Sequence, residues 1–228
     1  MDTTYELVRA TRGLMQGNLD NLKTIFDLSI NDVFFQLQFI MCDEKKINDE
    51  LENFYLTLNH NAFMIDSADA IADVINQSVT RQTTDWIRIN RQSMLQAERS
   101  GVYVAPVYSE TYIAGTEMMD AEYTKTLASF ICTLPELYRQ TALAFYYCNF
   151  STETIRDELL ITDIALNNRT TYIEKILGQQ MHGYCKDRGY QMKPVTPQRI
   201  RTALYELAKL YKYPYGEALY NNIRMKIH

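Results

Sequence analysis

Within six residues the chain places Asn167, Asn168, Arg169, Thr171 and Tyr172, five side chains that can hydrogen-bond the edges or the backbone of a nucleic acid. An asparagine amide pairs bidentately with adenine and an arginine guanidinium with guanine. Threonine and tyrosine hydroxyls suit phosphate oxygens. That chemistry requires the side chains to share the outer face of a helix whose inner stripe is Leu166, Ile173 and Leu177. With Ala165 they make the expected contact set: Ala165, Asn167, Asn168, Arg169, Thr171 and Tyr172. A polar outer face is also what any solvated helix shows.

The elements that would position this face are legible upstream. Ser151 is a good cap for a short helix, because its hydroxyl can accept from the free N–H groups of the next turn. Ile155, Leu159 and Leu160 follow at helical spacing on one face, and Ile161 sits in a turn. Thr162 or Asp163 caps a second helix. Two helices joined by three or four residues form a helix-turn-helix, which can place its second helix in a DNA major groove. Ahead of it lie Leu134-Pro135-Glu136-x-x-Arg139 and a hydrophobic helix over 141–148.

That lead-in, with Phe150-Ser151-x-x-x-Ile155 and Arg169, resembles the C-terminal region of bacterial RNA polymerase sigma factors, over about residues 127–177. The small extracytoplasmic-function group is the nearest in kind. In that family the region binds the −35 promoter element. The front of the chain is similar to the same family. Met41 to Lys46 takes the place of a turn, and Ile47-Asn48-Asp49-Glu50-Leu51-Glu52-Asn53-Phe54-Tyr55 that of an acidic helix. After an insertion near 59–69, Trp86, Ile87, Ile89 and Asn90 resemble the family's Trp-x-x-x-Ile-x-x-Asn, which there packs the helix that meets the −10 element. The resemblance implies that Asp49, Glu50, Glu52 and Asn53 dock on the coiled coil of the polymerase large subunit. It also implies core RNA polymerase and promoter DNA as partners, with an anti-sigma factor as a further one. Arg156 stands where the family has a small residue, Leu160 where it has glycine, and the second helix is poorer in cations. These departures bear on DNA affinity more than on fold.

Composition narrows the class. Glycine and proline are scarce, 8 and 5 in 228 residues, which favours helices over a turn-rich β chain. Seventeen tyrosines are expected as wall residues between helices. Residues 184–228 carry nine basic and three acidic side chains, a net of +6 that leaves −11 on the rest of a chain of net −5. An acidic body does not suit a freestanding DNA binder, which needs cations to displace phosphate counterions. It suits a protein that meets DNA while held on a larger machine. Cys42, Cys132, Cys148 and Cys185 form no Cys-x-x-Cys pair and read as reduced, buried thiols of a cytoplasmic protein. His60, His182 and His228 have no metal-ligand spacing. Met1 to Asp20 is not a signal peptide, and no apolar run is long enough for a membrane. No Gly-rich phosphate loop, Gly-x-Ser-x-Gly or His-Glu-x-x-His is present, so neither enzyme activity nor a cofactor is expected.

The expected architecture is all-α: an N-terminal helical bundle over 1–99, a linker over 100–115, a helix-turn-helix domain over 116–183 and a basic helical extension over 184–228. Helices are expected at 18–28, 32–41, 46–58, 66–78 and 83–98, the last with Trp86, Ile87, Ile89 and Met94 inward. The basic helix over 198–210 could track phosphates, bind an acidic partner or cover the acidic body of its own chain. The leading expectation for function is transcription initiation on core polymerase. The alternative is a sigma-like interaction module that reads little or no DNA, and a third is a self-sufficient helix-turn-helix repressor.

Overall fold

The computed structural model describes residues 3–41, 43–100 and 116–227, the side chains of 44 and 91–100 excepted. Over these residues the chain is all-α, with ten α-helices and no strand, 81% helical. The expected linker lies, from residue 101 onward, outside the described residues, and so does the side chain of Met94. Contacts divide the chain into two compact units, 1–83 with 211–228, and 84–210.

The first unit holds α1 (Thr3–Met15), α2 (Asp20–Met41), α3 (Glu44–His60), the first part of α4 (Ile71–Ser100) and α10 (Gly216–Ile227). The helices expected at 18–28 and 32–41 are one helix, α2. Nothing between them can stop it. The Ser29 hydroxyl donates back to the Ile25 carbonyl at 2.7 Å and shares a 2.8 Å hydrogen bond with the Tyr55 hydroxyl. The serine therefore stays inside the core with its polar group satisfied. In the same way the helices expected at 66–78 and 83–98 are one helix, α4, in which Thr80 donates to the Asn76 carbonyl at 2.8 Å. Residues 66–70 instead form a 3-10 turn over Ala68–Ala70, started by Ser67, whose hydroxyl accepts from the Asp69 N–H. Ile87 is buried, but Ile89 is 78% exposed, contrary to the inward stripe expected of both. Two residues subtend about 200° on a helix, so both cannot face inward.

The basic extension is not one body. Within the first unit, α10 lays Leu219 and Ile223 against α2 and α3. Tyr213 donates its N–H to Asn31 Oδ1 at 2.9 Å and its hydroxyl to Asn48 Oδ1 at 2.8 Å. Tyr211 meets Phe35 edge-on at 5.1 Å, and Tyr220 lies 5.4 Å from Phe26 with Lys23 Nζ over its ring at 5.1 Å. These tyrosines do pack as walls between helices. Burial pushes the Tyr55 hydroxyl far above its ordinary value.

The second unit holds α5 (Asp120–Cys132), α6 (Glu136–Ala142), α7 (Thr152–Leu159), α8 (Asp163–Arg188) and α9 (Pro197–Ala208). The Leu134-Pro135-Glu136-x-x-Arg139 motif is a helix junction. Leu134 is buried, Pro135 starts α6, and Arg139 reaches back to cap the Cys132 carbonyl at the end of α5, at 3.2 Å. Glu136 lies 3.6 Å from the same guanidinium. The helix expected over 141–148 changes pitch after Ala142 into a π-turn over Leu143–Tyr147. There the Cys148 N–H donates five residues back to Leu143 at 2.8 Å. Tyr146, on that turn, is buried and donates its hydroxyl to Glu174 Oε1 of α8 at 2.9 Å. In α9, Arg201 donates to the Tyr146 carbonyl at 3.0 Å, and Ile200, Ala203 and Leu204 are buried.

Replacing Ile223 with Ala is expected to lower unfolding stability by about 2–5 kcal/mol, the usual cost of emptying a buried isoleucine site. Urea unfolding measures it, and a loss under 0.5 kcal/mol would mean that α10 is not core (about a tenth of a typical domain's stability). Burial, and then the Glu174 carboxylate, raise the Tyr146 hydroxyl well above its ordinary 10.0. The unfolded tyrosine ionises near that ordinary value while the folded one stays neutral, so its contribution is intact below about pH 10 and lost above it. Unfolding monitored from pH 8 to 11 should show stability falling at the alkaline end, less steeply in Tyr146→Phe.

Candidate nucleic-acid interface

The caps of α7 and α8 are where the sequence puts them. Ser151 Oγ accepts from the Thr154 N–H at 3.1 Å, and Thr162 Oγ1 from the Ala165 N–H at 3.2 Å. Each satisfies one of the N–H groups that a helix start leaves unpaired. Ile155 and Leu159 of α7 and Leu166 of α8 close on Ala144, with Phe145, Phe150 and Ile161 packed around them. Further along α8, Ile173 and Leu177 are buried as the inner stripe requires. Two helices joined by three residues are therefore packed together, with α6 and its π-turn as the third wall. The second helix outlasts the expected domain end at 183 and stops at Arg188, where Gly189 takes the left-handed conformation at φ 65°.

Leu160 corrects the expected face. It does not share the inner stripe of Ile155 and Leu159. It ends α7 in the left-handed region at φ 54°, and its side chain is 68% exposed. The reversal needed between two helices three residues apart falls on this residue, where glycine would sit without strain. Arg156, the other departure from the family pattern, reaches across the turn to Asp163 Oδ2 at 2.8 Å. It ties α7 to the first turn of α8 and balances the charge of Asp163.

Of the expected contact set, Asn167, Asn168 and Thr171 stand exposed on one side of α8. Ile164, 75% exposed, and Lys175, also exposed, fall on the same side, three, four and seven residues from these neighbours. Ala165 is half-buried. Arg169 departs from its expected outward position. It is half-buried, with Nη1 3.5 Å from Thr141 Oγ1 of α6. Tyr172, 37% exposed, lies with its ring stacked on Tyr138 at 4.4 Å and 29°. The set of six thus divides into three outward polar side chains, two that serve the α6–α8 contact, and the half-buried Ala165. Ile164 was the residue the sequence reading missed. Its signal was spacing, since it stands two residues from the inward Leu166.

Around the tip the charges are mainly acidic. Glu153 and Asp157 of α7 are exposed. Several cations of the basic extension are engaged inside their own units. Lys193 pairs with Glu117 and Asp120 at 3.1 and 2.9 Å, Arg199 lies over the Tyr123 ring, and Lys226 pairs with Glu52. Lys193, by hydrogen bond and then by charge, holds the Asp120 carboxyl below its ordinary value.

On α3 the expected docking residues also divide. Asp49 and Asn53 are exposed. Glu50 and Glu52 are half-buried; the Glu50 carbonyl accepts from Gln82 Nε2 at 3.4 Å, and Glu52 holds Lys226 of α10. Among the described residues no group of three His, Cys, Asp or Glu could hold a metal ion, and no helix is long and apolar enough to cross a membrane.

No protein-family model, curated protein or solved structure matches this chain. Its function has to be argued from the geometry.

Leu160→Gly should stabilise the protein. It relieves about 1–2 kcal/mol of left-handed strain, against about 0.5–1 kcal/mol that a more flexible unfolded chain recovers. The expected net is a gain of about 0.5–1 kcal/mol in urea unfolding. A loss instead would show that the exposed leucine contributes packing at the turn.

Proposed function

We propose that the chain is a sigma-factor-like transcription initiation protein that binds core RNA polymerase and, while held there, reads promoter DNA with α8. The observation that carries this reading is the exposed row of Asn167, Asn168 and Thr171 over the buried Leu166, Ile173 and Leu177, in a helix begun by a threonine cap after a three-residue turn. That is the arrangement by which a helix-turn-helix presents polar side chains to base edges.

Charge determines how the reading must work. With a net charge of −5, and with Glu153 and Asp157 exposed near the tip, the chain has little of the cationic surface that gives free DNA binders their affinity. Tethering to the polymerase removes that need, because a linked site is met at an effective concentration of about millimolar. Asp49 and Asn53, exposed on α3, are the docking residues this reading assigns to the polymerase. A cytoplasmic location and an anti-sigma partner belong to the same reading.

A second reading has its own support. Arg169 turned toward Thr141, and Leu160 and Ile164 exposed at the tip, fit a sigma-like module that contacts protein in place of DNA.

Retention on core polymerase with promoter-dependent transcription is expected, and Asn168→Ala should cut that transcription about 5–100-fold, the worth of one bidentate base contact, with retention unchanged. Retention without any promoter dependence would favour the second reading. Loss of retention would remove both.

A further inference from the structure

We propose that α8 reads A·T base pairs, with Ile164 contacting the C5-methyl of thymine beside the adenine contacts of Asn167 and Asn168. The inference rests on the DNA-reading function above and names the sequence class that this face selects.

The argument begins with which side chains are free to read. Guanine is read most often by an arginine or lysine that reaches O6 and N7 together. The arginine of the expected set, Arg169, is half-buried on the flank of α8, directed to Thr141 Oγ1. Arg156, across the turn, is held by Asp163. Lys175 shares the outer face but stands 11 residues from Ile164, about 16 Å along the axis, so it cannot share base pairs with it. It is placed for a phosphate.

What remains at the leading end of the face is Ile164, Asn167, Asn168 and Thr171. An asparagine amide offers one donor and one acceptor side by side, the complement of adenine N7 and N6-H2. It cannot pair in the same way with guanine, which presents two acceptors. A thymine methyl is the one apolar group in the major groove, and an exposed aliphatic side chain is its partner. On the DNA-reading function, Ile164 is the apolar side chain at the leading end of this face. It is 75% exposed, it contributes little to the core, and it precedes Asn167 and Asn168 by three and four residues on the same side. An isoleucine and two amides adjoining on one helix face thus present the chemistry of A·T pairs.

The test uses the full chain bound to core polymerase and a pool of duplexes with randomised promoter positions. Bound sites are expected to enrich a block of A·T pairs, identified as the block that Asn168→Ala relaxes. Replacing thymine by uracil in that block removes only the methyl. Retention should then fall about four-fold, the worth of one buried methyl, and Ile164→Ala should bind the thymine and uracil duplexes equally. Because Ile164 is exposed, the variant is expected to fold normally, which circular dichroism checks. Enrichment of G·C pairs in the relaxed block, an unmodified protein indifferent to uracil, or an Ile164→Ala variant still sensitive to it would each overturn the inference alone. Polymerase retained with no sequence enriched, or not retained at all, would overturn the DNA-reading function and this inference with it.

Discussion

The candidate surface depends on one constraint, the reversal of the chain between Leu159 and Asp163. Three residues must turn α7 into α8 while Leu166 is brought onto Ile155 and Leu159. Two interactions are available to hold the turn, and their sizes differ. The Arg156–Asp163 pair is exposed, with 35% and 70% of its side chains open to solvent, and such pairs contribute about 0–1 kcal/mol. Each large buried side chain in the cluster contributes about 1.5–3 kcal/mol. Burial therefore fixes the crossing of the helices. The ion pair sets which charges the tip presents, leaving Asp163 balanced at the start of α8.

The same division of roles runs through the basic extension. The sequence leaves its basic helix over 198–210 three roles: tracking phosphates, binding an acidic partner or covering the acidic body of its own chain. In the structure Arg201 caps a carbonyl of the π-turn, Lys193 gathers two carboxylates of the α5 end, and Lys226 holds Glu52. They stitch the second half of the chain to the acidic elements within their own units. A net charge of +6 over 45 residues therefore overstates the charge open to a partner, because Lys193 and Lys226 are balanced by carboxylates outside that segment.

Helical class, both caps and the inner stripe of α8 were legible in the sequence, since each depends on neighbours within about one turn. The run-together of α2 was not. The stripes over 18–28 and 32–41 read as two helices, and only the Tyr55 hydroxyl, 26 residues on, shows why Ser29 between them sits in a core. The partition of the site was likewise hidden. Asn167, Asn168 and Thr171 face outward as periodicity requires. Arg169 and Tyr172 lie at the edge of the buried stripe, where periodicity is ambiguous and the partner across the gap decides. Those partners, Thr141 and Tyr138, belong to α6, about 30 residues earlier. That α9 and α10 join different units is hidden for the same reason, since no local pattern carries that information.

Leu160 shows what the tip is shaped for. Its backbone is left-handed and its side chain is 68% exposed, so it gives up comfort at the turn without adding to the core. Such a conformation persists only where its surroundings over-determine it. Here they do. The Ile161 N–H is fixed to the Arg156 carbonyl at 3.1 Å, Thr162 caps α8, and Arg156 spans the turn to Asp163. Four residues on, Ile164 is a second apolar side chain largely open to solvent, 75% exposed. Single exposed apolar side chains are ordinary on a protein surface, so these two acquire a role only with the partner proposed for them. In that proposal, a turn already held at three points would not spend the gain of contact on ordering the loop.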